Sequence, residues 1–498
     1  SDNANKAQTN KIYFDTRDLI IKKVVLGDGT ETTFKVGKVE ADFMGAPLEI
    51  DIKKDTYRLT IHYKTSNKAQ ALQWLEPQQT AGKIHPFLFT QSQPILARSW
   101  IPSQDSPGIR ITYKAKVKVP SQLMAVMSAN NPTERNSEGI YEFEMKQRIP
   151  VYLMALSVGD LAFKPVGKRT GVYTEPSMLD ASAYELEGME AMLDAAENLY
   201  GSYRWGRYDV IVLPPSFPYG GMENPRLTFL TPTVLAGDRS LVTLIAHELA
   251  HSWSGNLVTN ATWDDFWLNE GVTTYIELRI MEALSGKAQV AMQEVINYQN
   301  LEQTIAGLEA KDTHLKLEME GRDPDLAINP IAYDKGYLFL RSIEEAVGRE
   351  KFDVFLKGYF RKFSFRTLTT EKFYEYLKVN LLDKNEGSAA KIQADKWLFG
   401  DGTYLNNMIG NGSENSYLMI LSQLGLTGLM VFVFPMLLVV MCFFKWPYEL
   451  YPLLIMMAFL NVGRIGIGWA DGILMWCYIM GVISSKGFAF NKDKKRCK

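Results

Sequence analysis

Residues 245–253 read IAHELAHSW, and residues 267–277 read WLNEGVTTYIE. The first stretch repeats its apolar residues at helical spacing, and His247 and His251 stand four apart within it. Four residues are about one turn of an α-helix, so both imidazoles project from one face and can share a metal ion. Glu248 lies on the same segment without being placed as a ligand, which suits a general base acting on water. Glu270 follows His251 by nineteen residues, where a second helix could present its carboxylate as a third ligand. Two histidines and one glutamate leave the fourth position of a zinc ion open, the arrangement of a catalytic rather than a structural site. Glu277 comes two turns later, placed either to support a ligand histidine from behind or to stand exposed on its helix. A HELAH string alone also occurs in metal-free helices; the second stretch is what makes it a metal site.

Outward from this pair, residues 215–225 read PSFPYGGMENP. The paired glycines Gly220 and Gly221 let the backbone approach a ligand closely or take a left-handed turn, and Glu223 beside them offers negative charge to a cationic group. Further upstream, YELEGMEAMLDAAENLY at 184–200 has a helical period and is followed by a short strand, YDVIVL, at 208–213. Before about residue 160 the pattern alternates instead, as in KIYFD (11–15), YRLTIHY (57–63) and IRITYKAKVKV (109–119), with turn residues between. The expected organisation is an N-terminal all-β sandwich domain over 1–161 and an α+β catalytic domain over 162–400. A chain of 498 residues has room for about three such units.

The remaining unit differs in kind. Over the whole chain 46% of residues are apolar and 22% charged, and 54 basic against 56 acidic side chains leave a net charge of -2. That balance gives no reason to expect a nucleic-acid partner. The average hides a break: from Asn415 to Phe444 there is no Asp, Glu, Lys or Arg, a run long enough to span a bilayer. A second apolar block, from Leu450 to about Ile483, is interrupted by Arg464, Asp471 and several glycines. This is the pattern of a broken or re-entrant helix whose two charges pair or sit at an interfacial turn. Residues 401–498 are accordingly read as a transmembrane helical tail, in contact with a lipid bilayer over 415–485. Lys492, Lys494, Lys495, Arg496 and Lys498 form its basic flank. Cys442, Cys477 and Cys497 all fall in this tail, so the first 441 residues cannot form a disulfide. The chain opens SDNAN, without an initiator Met or a basic-then-apolar leader, so a targeting peptide is expected to be absent or already removed.

The GGMEN strip, the HELAH motif and the Asn269–Glu270 pair, in this order and spacing, resemble the zinc aminopeptidases of the gluzincin class. Within that class the similarity points to the leukotriene A4 hydrolase/aminopeptidase branch. It covers roughly residues 12–400 and includes QWLEPQQTAGK (73–83), FLFTQSQ (87–93) and HSWSGNLVTN (251–260). The resemblance implies a thermolysin-like fold for 162–400, one zinc per chain held by His247, His251 and Glu270, and activation of water by Glu248. It further implies that Glu223, helped by Gln93, holds the free α-amino group of a peptide, beside Gly220, Gly221 and Met222. A carboxylate at fixed distance from the metal measures one residue from the N-terminus, which is exopeptidase action. By the same resemblance Tyr219 lines the pocket for the first side chain, and Tyr333, in PIAYDKG (330–336), stabilises the oxyanion.

This sequence also departs from the pattern. The helical C-terminal domain that supplies an Arg and a Lys to the substrate carboxylate in the leukotriene A4 hydrolase branch has no counterpart after KWLFG (396–400). From SENSYLMILSQLGLTG (413–428) the chain instead resembles the last membrane helices of O-antigen polymerase and ligase proteins, which implies a bacterial cell envelope. The strands that open the family's first domain are not matched before Lys11. Ile328 stands where the branch has a tyrosine, while Asp325, matching an acid tied there to epoxide opening, is present. Without the carboxylate anchor, epoxide hydrolysis is not expected. The expected function is that of a membrane-associated zinc aminopeptidase acting on peptides with a free N-terminus. Two other readings stay open: a membrane-anchored peptide-binding protein with little or no turnover, and an incomplete peptidase fused to a polysaccharide polymerase or ligase fragment.

Overall fold

Alternating apolar residues build the first half of the chain as strands, in a computed structural model that describes residues 10–389 and 392–400. Lys11–Thr16, Ala46–Asp51 and Phe34–Val36 form one antiparallel sheet; Ile20–Leu26, Leu59–Lys64 and Glu31–Thr32 form another. Val24, Leu48 and Ile50 are fully buried together, flanked by Ile12, Phe14, Ile21 and Ile61 from strands of both sheets. At about 1.5–3 kcal/mol for each fully buried side chain of this kind, that strip is what holds the two sheets together. A four-stranded sheet ordered Met124–Met127, Leu156–Gly159, Phe87–Thr90, Leu72–Leu75 follows, with a long pair formed by Arg110–Lys118 and Ile140–Pro150. The strand expected over 57–63 starts only at Leu59, because Tyr57 is 87% exposed and has no place in the ladder.

The next sheet begins at Ala162. Its five strands run in the order Ala162–Pro165, Thr170–Thr174, Tyr208–Val212, Thr228–Leu230 and Gly221–Met222. Pairing is parallel in the middle and antiparallel at both edges. Tyr208–Val212 is buried along its whole length, as a central strand covered on both faces should be. The helical period over 184–200 divides into α1 (Leu179–Glu185) and α2 (Met189–Tyr200), because Gly188, a poor helix former, stands between them and caps the second.

The helices that follow are α3 (Val242–Ala250), α4 (Trp267–Ser285) and α5 (Lys287–Gly307). They are joined by α6 (Gly336–Val347), α7 (Arg349–Phe363) and α8 (Thr370–Leu377). Every residue of α4 from Trp267 to Met281 is buried, so this helix has no solvent face along that length. A helix enclosed on all sides must be packed by several partners, and α2, α3, α5 and α6 all lie against it.

Polar clasps tie the N-terminal β half to the rest of the chain, among them those of Glu175 and Arg110. The Glu175 carboxylate accepts the backbone N–H groups of Ala81 and Gly82 at 2.7 and 2.9 Å. Arg110 donates to Asn256 O at 2.7 Å and to Thr259 Oγ1 at 2.5 Å. Among the described residues no helix is long and apolar enough to cross a membrane. The expected transmembrane tail, with its bilayer contact over 415–485, lies outside the described residues, as does the stretch resembling O-antigen polymerase and ligase proteins.

Candidate active site

α3 ends at Ala250, yet His251 keeps helical backbone angles (φ −57, ψ −20) and its N–H still reaches His247 O at 3.2 Å. Both imidazoles therefore remain on one face, with ring centroids 4.8 Å apart. α4 meets them with its first turn. Glu270 Oε2 lies 3.3 Å from His247 Nε2 and 3.5 Å from His251 Nε2, and it is buried without a hydrogen-bond donor. Donors about 2.1 Å from a tetrahedral zinc stand about 3.4 Å from one another, which matches this spacing. A buried carboxylate oxygen with no donor, facing two ring nitrogens, marks a place for a cation, and two imidazoles with one carboxylate fit zinc. Burial works against the charge of Glu270, but His251 and His247 outweigh it and hold the carboxyl below its ordinary value.

The same face of α4 continues behind the imidazoles. Glu277 Oε2 is 2.8 Å from His247 Nδ1, so the carboxylate stands on this imidazole rather than exposed. Thr273 Oγ1 is 3.0 Å from His251 Nδ1. Positions 270, 273 and 277 share one side of a helix, so a single face delivers the Glu270 carboxylate and a partner for each imidazole.

Glu248 is buried with its Oε2 unpartnered, and burial pushes its carboxyl up to about 7. The edge strand Gly221–Met222 runs beside it so closely that a Cβ at Gly221 would stand 2.4 Å from Glu248 Cδ. Gly220 has more room, since a Cβ there would meet only the tip of Leu244 at 3.1 Å. Immediately beyond the strand, Glu223 is 4% exposed; its Oε1 accepts from Asn269 Nδ2 at 3.4 Å and its backbone O from Asn256 Nδ2 at 2.7 Å. One oxygen each from Glu223 and Glu248 and a ring nitrogen of His251 lie within 4.8 Å of one another. Burial pushes the Glu223 carboxyl up.

Gln93 has a buried Nε2 with no partner, so it does not donate directly to Glu223. Its neighbour Gln91 contacts Met222 instead, Nε2 to Sδ at 3.5 Å. Tyr219 is 41% exposed, its ring 6.1 Å from Phe217. Asp325 lies exposed on the short turn Pro324–Ala327, and Ile328 follows it half-buried.

Tyr333 sits on a π turn, Ile331–Lys335, that leads directly into α6. Such turns are rare and recur at functional sites. Its ring stacks on His247, with centroids 6.0 Å apart and planes at 19°, while Phe266 meets it edge-on at 6.4 Å. Burial and the carboxylates of Glu270, Glu223 and Glu248 push the phenol well above its ordinary value, so it keeps its proton. The turn rests on α4 where two glycines cross. A Cβ at Gly271 would stand 2.6 Å from Gly336 Cα and 2.8 Å from Ala332 O.

Four residues of the site have no assigned part in the sequence reading: Tyr152, Asn256, Asn269 and Thr273. Thr273 was visible in principle, since it falls three residues after Glu270 on the face that also carries Glu277. Asn256 and Asn269 lie inside the recognised stretches but offer no local sign of what they touch. Tyr152 has no signal at all; it reaches the back of the site from the β half, edge-on to Trp263 at 5.4 Å, with an unpartnered hydroxyl. Burial, then Glu223 and Glu270, push its phenol well above the usual range.

Residues 184–397 match the Peptidase family M1 domain, and residues 2–153 match the Peptidase M1 N-terminal domain. Native leukotriene A4 hydrolase from Saccharomyces cerevisiae superposes with a TM-score of 0.75 at 34% identity, over 84% of this chain and 67% of that one. The chain belongs to peptidase family M1. Among M1 relatives, leukotriene A-4 hydrolase of Xenopus laevis is 45% identical over 392 residues, 75% of this chain and 64% of that protein. Leucine aminopeptidase 2 of Yarrowia lipolytica is 43% identical over 407 residues, 78% of this chain and 62% of that protein. The M1 chain thus spans less than two thirds of the length of these two relatives.

Proposed function

We propose that this M1 chain is a zinc-dependent aminopeptidase, with one zinc held by His247, His251 and Glu270. The observation that carries the reading is Glu223, a buried carboxylate within 4.8 Å of Glu248 and His251. Its basic neighbour is His251, which the metal set takes up as a ligand, and among the described residues no Lys or Arg forms an ion pair with it. A buried carboxylate is costly unless a cation meets it, and the α-ammonium of a peptide supplies that cation. With the ammonium on Glu223, the first peptide bond is the one that falls beside Glu248. The free edge of Gly221–Met222 offers backbone groups to which an extended peptide can add as a further strand.

A zinc held by His247, His251 and Glu270 would supply Lewis acidity toward a carbonyl and would lower the pKa of water. Glu248, with a carboxyl near neutrality, takes a proton from water and returns it to the leaving amine. Tyr333, protonated and stacked on His247, donates to the carbonyl oxygen as it gains charge. The leucine aminopeptidase and leukotriene A4 hydrolase names of the relatives support the same chemistry.

The test compares leucine p-nitroanilide with its N-acetyl form, with and without chelator, alongside zinc content. Free substrate should be cleaved by the zinc-loaded chain only, and the blocked one poorly. Glu223→Ala should lose cleavage while keeping zinc; efficient cleavage of a blocked peptide refutes the assignment. The division at 161/162 and a membrane-bound tail belong to the same reading, the tail supported by the charge-free run from Asn415 to Phe444. Recovery of the full chain as a detergent-free monomer refutes the membrane part alone.

A further inference from the structure

His247 and His251 are held by partners of different charge. Behind His247 stands a carboxylate, Glu277, at 2.8 Å. Behind His251 stand two neutral oxygens: Ser254 O at 3.2 Å and Thr273 Oγ1 at 3.0 Å from Nδ1. The two oxygens also face each other, Thr273 Oγ1 to Ser254 O at 3.2 Å. Thr273 is fully buried, so no solvent competes for any of these contacts.

We propose that Thr273 is the positioning residue of His251, its hydroxyl accepting the Nδ1–H of the imidazole and donating its own proton to Ser254 O. The inference rests on reading His247, His251 and Glu270 as the metal set. His251 Nε2 faces Glu270 Oε2 at 3.5 Å, so a neutral ring that binds metal through Nε2 must carry its hydrogen on Nδ1. The Ser254 carbonyl can only accept. Giving its one proton to that carbonyl leaves Thr273 Oγ1 with lone pairs toward Nδ1–H, and the three groups close into one consistent pattern. In the opposite tautomer the Nδ1 lone pair would face the carbonyl lone pairs at 3.2 Å. Thr273 therefore orients the ring and selects the tautomer that presents Nε2. α4 contributes this hydroxyl one turn after Glu270, so the ligand and the orienting group move as one body.

Partners of this kind are worth about 10–100-fold in metal affinity. Thr273→Val keeps the branched shape and removes the hydroxyl; Thr273→Ser keeps the hydroxyl and removes a methyl. Zinc affinity of the full chain is measured by competition with a chromophoric chelator, and folding is checked by near-UV circular dichroism. The expected result is a loss of about tenfold or more with valine and recovery to within about threefold with serine. Unchanged affinity in the valine variant shows that Ser254 O suffices and overturns the proposal. Equal weakening by valine and serine assigns the effect to packing and also overturns it. Should neither Thr273→Val nor Thr273→Ala fold, Thr273 is a structural residue, which again overturns its positioning role. The unmodified chain is assayed first: lack of stoichiometric zinc there sinks the metal reading itself, an outcome distinct from any variant result.

Discussion

Replacing Gly336 by alanine tests how Tyr333 is held over the site. A Cβ at this position would stand 2.8 Å from Gly271 Cα and 3.5 Å from Trp267 Cε3. Non-bonded carbons rest at about 3.5–4.0 Å, so the π turn and α4 must part by about 1 Å at their crossing. α4 is enclosed on every side, whereas Ile328, Asn329 and Pro330, which lead into the turn, are only half-buried, so the turn is the side that yields. A misplacement of about 1 Å in a group acting on the transition state costs up to about 100-fold in rate. Overpacking by one methyl adds about 1–3 kcal/mol of destabilisation. The expected result for Gly336→Ala is a kcat lowered about 10–100-fold, with KM little changed and one zinc still bound. Added to Tyr333→Phe, the same change should cost little more, because the donor it displaces is already gone. The assay is hydrolysis of an aminoacyl p-nitroanilide with zinc content measured in parallel. A folded Gly336→Ala chain with near-normal kcat, or a full further loss in the Tyr333→Phe background, refutes the claim that this crossing places the phenol.

Glu248→Gln should keep its zinc and lose at least about 10²–10⁴-fold in turnover, since the amide cannot take a proton; single-turnover kinetics beside metal analysis checks both. Glu277→Gln should weaken zinc about 10–100-fold, read by chelator competition, because a carboxylate no longer stands on His247. Asp334 is buried near Glu277, and burial, then the charge of Glu277, pushes its carboxyl up from 3.8 to about 7. The folded chain then holds a proton that the unfolded chain has released between about pH 4 and 7. Stability therefore falls as pH rises through that window, by at most about 4 kcal/mol at about 1.4 kcal/mol per pH unit. Asp334→Asn should raise the melting temperature at pH 8 and leave it unchanged at pH 4; an equal effect at both refutes the assignment.

His247, His251 and Glu248 were legible because a helix converts sequence spacing into direction, and a HELAH string needs no distant information to put both imidazoles on one side. For Glu277, seven residues beyond Glu270, the same geometry left two readings open, a support for a histidine or an exposed carboxylate, and only the packing of α4 against α3 decides between them. Tyr333 was different: nothing in PIAYDKG distinguishes a site tyrosine from a core one, and only resemblance to a family pointed to it. Its placement depends on Gly271 and Gly336 meeting across two elements, which no local pattern reports. Tyr152 was out of reach for the same reason, lying in the β half and arriving at Glu223 only through the packing of the two halves. The break before Gly188 shows the converse limit, since periodicity runs on through 184–200 where one helix ends at Glu185 and the next starts after a Gly188 cap.

The clasps between the halves have a consequence for how the chain is made. Glu175 reaches back 94 and 93 positions to Ala81 and Gly82, and Arg110 waits for partners 146 and 149 positions ahead. At about 5–20 residues per second of synthesis, the two N–H groups are exposed for roughly 5–20 s before their carboxylate exists, and the guanidinium waits longer still. Through that interval the β half emerges with an unfinished surface. Asn256 and Thr259, which complete it, lie between His251 and Glu270. The Glu175 clasp can close first, whereas that of Arg110 must wait for the stretch that lies between His251 and Glu270, so this part of the junction is completed only as the site residues themselves are made.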